Sequence, residues 1–270
     1  MAESPRAALG AATGQIGRAT VGIVAEAGYY LALAGESLYW IGLGALRGQR
    51  VRISAVFTQA VAVGIRALPI LFVLSFAIGI MLAIQGIHTL AQFGAETQVV
   101  PGIALSVTRE FAPLITAILM AGRTGSALAA QVGTMQVNQE IDALRVMGIN
   151  PIRYLVAPVL LAMLLMTPCL TLFSALSALL GGAIFCNVEL GLGFAAYVDQ
   201  SAQFLKADDL YQGLAKSLVF AVIITLVGVA NGFSVSGGAE GVGRYTTRSV
   251  VLAISYIVVA DMIFTYFLNR

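Results

Sequence analysis

The chain has 270 residues, of which 59% are hydrophobic and 10% charged, with a formal net charge of +2. A soluble domain carries roughly a quarter charged residues, so the composition sets aside soluble folds and indicates an integral membrane protein. One His and two Cys leave no donor set for a metal ion.

Residues 1–15 are mixed and small, without the compact apolar core of a cleavable signal, and are expected to be disordered. Residues 16–46 are long and apolar but carry Glu26 and Glu36, with Arg18 on one side and Arg47, Arg50 and Arg52 on the other. A spanning helix would place one basic flank outside, whereas a helix in the headgroup layer keeps both on one side. The interfacial reading is adopted for 16–66, of which 47–66 form a basic, mildly amphipathic lead that hugs the inner face.

A helix needs about 20 apolar residues to cross the hydrocarbon core. Residues 67–90, 154–184, 214–233 and 250–267 qualify readily, and 99–121 qualifies despite Arg109 and Glu110, giving five spans in a bundle over 67–270. His88 and Gln85 fall near the outer end of the first span, where a lone His reads as an interfacial polar group. Cys169 lies in the third span and Cys186 at its end, about 25 Å apart if helical, too far to bridge.

With the N-terminus inside, the inner segments hold Arg6, Arg18, Arg47, Arg50, Arg52, Arg66, Arg123, Arg145, Arg153, Arg244 and Arg248. The outer loops hold Lys206, with Arg270 at the tail, beside Glu96, Glu189, Asp199, Asp208 and Asp209. This is a positive-inside pattern with the C-terminus outside. The +2 charge therefore reflects membrane topology and argues for no nucleic-acid partner.

The second span turns into a run of small residues. Gly125, Ala129 and Gly133 place small groups on every fourth position, as do Gly122, Ser126 and Ala130, which lets helix backbones approach. Packing within the chain and contact with another subunit are both open. Residues 134–150 follow as an amphipathic helix of at most four turns: Val137, Ile141 and Leu144 make the apolar stripe, and Asn138, Gln139, Glu140, Asp142 and Arg145 cover the rest. Gly148 and Pro151 end it. It either rests on the membrane surface or plugs into a cytosolic ATPase.

The outer loop 187–212 is polar and acidic, and its segment 191–197 suits re-entry into the membrane or packing on a partner. The inner loop 236–249 is glycine-rich, lacks the phosphate-loop pattern and is expected to be a flexible connector. No nucleophile–base pair or paired soluble carboxylates can be assembled. The unusual groups are Arg109 and Glu110 in the second span, Lys216 in the fourth and Asp261 in the fifth. Ionisable groups at that depth cost at least a few kcal/mol each and mark a cavity or a partner. Their four formal charges cancel, so they either fix helix packing or line a polar patch in an apolar cavity. Pro101 and Pro113 flank the first pair and can kink their helix.

The stretch EFAPLITAILMAGRTGSALAAQVGTMQVNQEIDALRVMGINPIRYLVAPVLLA, residues 110–162, resembles the MlaE-type permeases of MCE-associated lipid ABC transporters, and the topology is similar from about residue 47 onward. The resemblance implies an all-α membrane protein with an N-terminal interfacial helix, five transmembrane helices and a short cytoplasmic coupling helix. It implies a homodimer in the bacterial inner membrane, with a cytosolic ABC ATPase that binds ATP and Mg, a periplasmic MCE-domain protein and a phospholipid substrate. This chain itself would hold no cofactor and catalyse no reaction. By similarity, 140–147 is the coupling helix, with Val137, Glu140, Ile141, Asp142, Leu144 and Arg145 in the coupling region, and Arg109, Glu110, Lys216 and Asp261 match the family's membrane charges. An ion-coupled secondary transporter using Glu110 and Asp261, and a non-transporting anchor for a periplasmic lipid carrier, are the competing readings.

Overall fold

The structure, a computed structural model, describes residues 5–46 and 52–268. Residues 1–4 of the segment expected to be disordered lie outside the described residues, as do Arg47, Arg50 and Arg270 of the charge pattern and the side chains of Arg6 and Arg18. All regular structure in the described part is helical.

Backbone amides find no water in hydrocarbon, so apolar runs of this length must satisfy their own hydrogen bonds as helices. Among the described residues five helices are long and apolar enough to cross a membrane: α2 (Ile53–Ala91), α3 (Val99–Val137), α5 (Ile152–Leu190), α7 (Ala207–Phe233) and α8 (Gly238–Leu268). They are joined by α1 (Pro5–Leu46) and two short helices, α4 (Glu140–Val146) and α6 (Phe194–Phe204).

The spanning helices outrun the apolar windows that announce them. The lead before the first span is already helical from Ile53, and it enters the span through a 3-10 turn at Ile65–Ala67. The second span continues through the small-residue run to Val137 and contains two π-turns, Val107–Phe111 and Ala121–Gly125. The glycine-rich segment expected to be a connector is largely the first turns of α8. Only Gly237 and Gly238, at φ +88° and +68°, form the sharp bend before it, and Thr246 bonds back to the Val242 carbonyl at 2.7 Å.

The amphipathic stretch 134–150 is not one helix. Helix α3 ends at Val137, Gln139 adopts a left-handed φ of 59°, and α4 runs only from Glu140 to Val146. Gly148, at φ +73°, closes α4 while the Ile149 amide reaches back to the Leu144 carbonyl at 2.9 Å, a glycine-dependent stop. The break folds α4 back so that Ile141 and Leu144 are buried.

Glycines set the helix crossings. A β-carbon on Gly79 would lie 1.9 Å from the Ala178 carbonyl oxygen, and one on Gly181 would lie 2.3 Å from that of Phe76. Thus α2 and α5 touch backbone to backbone, with Ser75 and Ser174 hydroxyls bonded at 2.7 Å beside the contact. Helices α3 and α7 meet in the same way through Gly125, Gly133, Gly228 and Gly232. Around these crossings Leu71, Met120, Leu170, Phe220, Ile224 and Ile257 form the main core.

Helix α1 joins this core through Leu33. The two carboxylates that make its sequence ambiguous both have tertiary partners. Glu26 accepts from Tyr30 at 2.9 Å and pairs with Arg248 on α8 at 3.3 Å. Glu36 accepts from Asn150 at 2.8 Å. Burial, reinforced by the bond to Glu26, pushes the Tyr30 hydroxyl above its ordinary range and keeps it a donor.

Candidate functional site

Gly213 brings α7 against the first π-turn of α3, where a β-carbon on it would lie 2.3 Å from the Thr108 carbonyl oxygen. One turn to either side of this contact, α7 presents Asp209 and Lys216, and α3 answers with the adjacent Arg109 and Glu110. The extra residue in a π-turn re-aims side chains relative to a regular helix, and such turns recur at functional positions.

Arg109 donates from Nε to Asp209 Oδ1 at 2.7 Å, and its Nη2 pairs with the same oxygen. Asp209 Oδ2 meanwhile accepts the Lys206 amide at 2.9 Å, so the same carboxylate caps the start of α7. Lys216, only 1% exposed, pairs with Glu110, lies 3.0 Å from Asp261 Oδ1 and donates to Thr265 Oγ1 at 2.9 Å. Thr265 in turn donates to Glu110 Oε2 at 3.1 Å.

The four membrane charges read from sequence are therefore brought to one end of the bundle, but they do not neutralise one another as a set of four. Arg109 turns to Asp209, leaving Lys216 between two carboxylates. Asp209, expected in the outer loop, lies in the first turn of α7. With it the cluster includes, among the described residues, two cations and three carboxylates. Asp209, Gly213 and Thr265 are missed by sequence reading. The 209–213–216 spacing, one helix face at i, i+4 and i+7, is the signal that could have exposed the first two.

The cluster is an electrostatic knot that ties α3, α7 and α8. Buried ion pairs seldom add net stability over apolar packing, yet losing one partner is costly. Glu110, Arg109 and Asp261 keep part of their surface open, so a polar group entering from that side would meet both signs of charge.

At the far end of α3, about 40 Å from Glu110 at 1.5 Å per residue, lies the second feature. Val137 belongs to α3, not to the short helix that follows it. On α4, Ile141 and Leu144 are buried in their own chain, so they cannot also be the outward stripe. The outer face consists of Glu140, Asp142 and Arg145, the last two paired at 3.0 Å, followed by Val146 and Met147, which are 88% and 63% exposed. Two large apolar side chains stand free beside a charged rim, a composition found where a surface meets a membrane or another protein.

The small-residue stripes divide. Gly125, Ala129 and Gly133 face α7 within the chain, whereas Gly122 has open space around it. Among the described residues no group of His, Cys, Asp or Glu has the spacing to hold a metal ion.

Comparisons with known proteins agree on one family. The family model described as permease MlaE matches residues 56–267. The chain is 33% identical over 218 residues to a probable ABC transporter permease protein of Rickettsia typhi, covering 81% of this chain and 84% of the relative. It is 34% identical over 204 residues to the chloroplastic protein TRIGALACTOSYLDIACYLGLYCEROL 1 of Arabidopsis thaliana, covering 76% and 58%. It is 32% identical over 229 residues to the intermembrane phospholipid transport system permease protein MlaE of Haemophilus influenzae, covering 82% and 87%. With five membrane-length helices, and with four fifths of its length shared with these permeases, this chain belongs to the MlaE permease family.

Proposed function

We propose that the chain is the membrane permease subunit of an ATP-driven transporter that moves phospholipids between the bacterial inner membrane and a periplasmic MCE-domain protein, maintaining outer-membrane lipid. The observation that carries the reading is one continuous helix, α3, which joins the charge cluster at Arg109–Glu110 to the exposed Val146–Met147 tip just beyond its Val137 end. Family membership and the Haemophilus relative's name, which attaches that protein to intermembrane phospholipid transport, support phospholipid as the substrate class.

In this reading α4 seats on a cytosolic ATPase, which binds ATP and Mg and supplies the hydrolysis. Motion of α4 reaches the cluster through α3. Two copies of the chain enclose an apolar chamber for acyl tails, and Arg109, Glu110, Lys216 and Asp261 face the headgroup or hold the gate. Helix α1 lies along the inner face: over residues 26–36 its partners, Arg248 and Asn150, both belong to the α4 end of the bundle. In the same reading the N-terminus is cytoplasmic and the C-terminus periplasmic, in keeping with the positive-inside charge pattern.

Copurification tests the assignment. The wild-type chain should bring down an ATPase, and Val146→Asp with Met147→Asp should lose it while keeping a monodisperse fold. Retention of the ATPase by that variant would remove α4 as the docking element.

The unequal count at the cluster, two carboxylates around Lys216, favours a second reading as an ion-coupled transporter. Lipid movement that survives ATP depletion but stops when the proton gradient is collapsed would select it.

A further inference from the structure

Two breaks in helical regularity aim two arginines into one cavity. The 3-10 turn of α2 carries Arg66, and the second π-turn of α3 carries Arg123. Both line a space of about 170 Å³ whose other polar walls are Gln59, Thr124 and Gln131. No carboxylate among the described residues lines it. Among the described residues neither arginine forms an ion pair.

Arg123 reaches the Ala62 and Val63 carbonyls, but at 3.3 and 3.4 Å, beyond the usual range for N–H to O bonds. Much of its donor capacity is unspent. Arg66 is exposed. Both stand at the edge of the apolar region: no charged residue follows Arg66 until Glu96, and none separates Glu110 from Arg123. Two uncompensated guanidinium groups at a water–hydrocarbon boundary repel each other and attract an anion. A planar guanidinium matches the oxygens of a phosphate better than any other side chain does, and amide and hydroxyl groups beside it supply further donors.

We propose that Arg66 and Arg123, with Gln59, Thr124 and Gln131, form a binding site for a phosphate-bearing anion, supplied by an anionic lipid headgroup at the α4-side boundary of the membrane. The bound phosphate bridges α2 to α3 and takes up the charge that the protein leaves open. The site lies at the other end of the apolar region from the Lys216 cluster. It requires only that the chain sits in a membrane, so it stands or falls apart from the transport reading.

The test is native mass spectrometry of the full-length chain in detergent, titrated separately with phosphatidylglycerol, phosphatidylcholine and inorganic phosphate. Phosphatidylglycerol should bind saturably and more tightly than phosphatidylcholine, whose choline cation offsets its phosphate. A juxtamembrane cation contributes about fivefold in affinity. Arg66→Gln should therefore weaken phosphatidylglycerol about fivefold, and Arg66→Gln with Arg123→Gln about twentyfold or more. Arg66→Lys should weaken binding less than Arg66→Gln does, because the ammonium keeps the charge while losing the guanidinium fork. Saturable binding of inorganic phosphate that displaces the lipid and is lost in the same variants identifies the free anion as the ligand of the same site. Equal binding of the two lipids, or unchanged phosphatidylglycerol binding in Arg66→Gln, overturns the proposal. Should Arg123→Gln fail to fold, the contrast between Arg66→Gln and Arg66→Lys still decides it.

Discussion

The Nζ of Lys216 on α7 lies 3.0 Å from Oδ1 of Asp261 on α8, and the same ammonium pairs with Glu110 on α3. One buried cation therefore ties three helices by pairing with two carboxylates from different helices.

Removing that cation should cost more than removing the whole network. Lys216→Met leaves Glu110 and Asp261 facing a buried site with nothing between them, and breaking a buried pair in this way costs about 3–5 kcal/mol. The expected result is a clearly lowered Tm in detergent. Adding Glu110→Gln and Asp261→Asn to Lys216→Met should recover much of it. Equal Tm values for Lys216→Met and wild type would show that the knot does not hold the helices.

Arg109 and Asp209 should be energetically coupled. Both Nε and Nη2 of Arg109 engage one carboxylate oxygen, so a double-mutant cycle with Arg109→Ala and Asp209→Ala should return a coupling of about 0.5–3 kcal/mol. Asp209→Ala alone should cost more than Arg109→Ala, because Asp209 also caps the first turn of α7. Additive losses in denaturant unfolding would refute the pairing.

The glycine crossings make an ordered prediction. Gly79→Ala and Gly181→Ala push a methyl into a backbone carbonyl on the facing helix, and overpacking of this kind costs about 1–3 kcal/mol. Gly122→Ala, with open space around it, should be neutral or slightly stabilising through helix propensity. Thermal melts of the three single variants check the order.

Within α4 the two faces should separate folding from association. Ile141→Asp buries an unpaired carboxylate in the core and should sharply lower expression and Tm. Val146→Asp with Met147→Asp changes only exposed side chains, so Tm should stay close to wild type while ATPase copurification is lost. A variant pair that fails in both measurements together would mean that this face is structural.

Much of the bundle was readable in the sequence because a bilayer punishes any other arrangement of such long apolar runs. The five spans and the membrane charges Arg109, Glu110, Lys216 and Asp261 all stand out against that background. The helix ends were less readable, since hydropathy marks where hydrocarbon ends and helices persist beyond it. That is why α3 runs to Val137 and α8 starts at Gly238. The break at Gln139 had no periodic signal, because Val137, Ile141 and Leu144 keep helical spacing across it. Asp209 was hidden by its neighbours: beside Lys206 and Asp208 it looks like loop, and only the approach of α7 at Gly213 gives it a partner inside the bundle. Pairings between distant helices, such as Arg66 with Arg123, depend on local 3-10 and π-turns that composition does not announce.

ATP-driven lipid transfer by this permease is tested most directly by labelled-phospholipid movement in proteoliposomes holding the chain together with the ATPase it copurifies with. Transfer should require ATP, be insensitive to collapse of the proton gradient, and be lost in Val146→Asp with Met147→Asp although that protein folds. Transfer that continues without ATP and stops when the proton gradient is dissipated would contradict an ATP-driven mechanism.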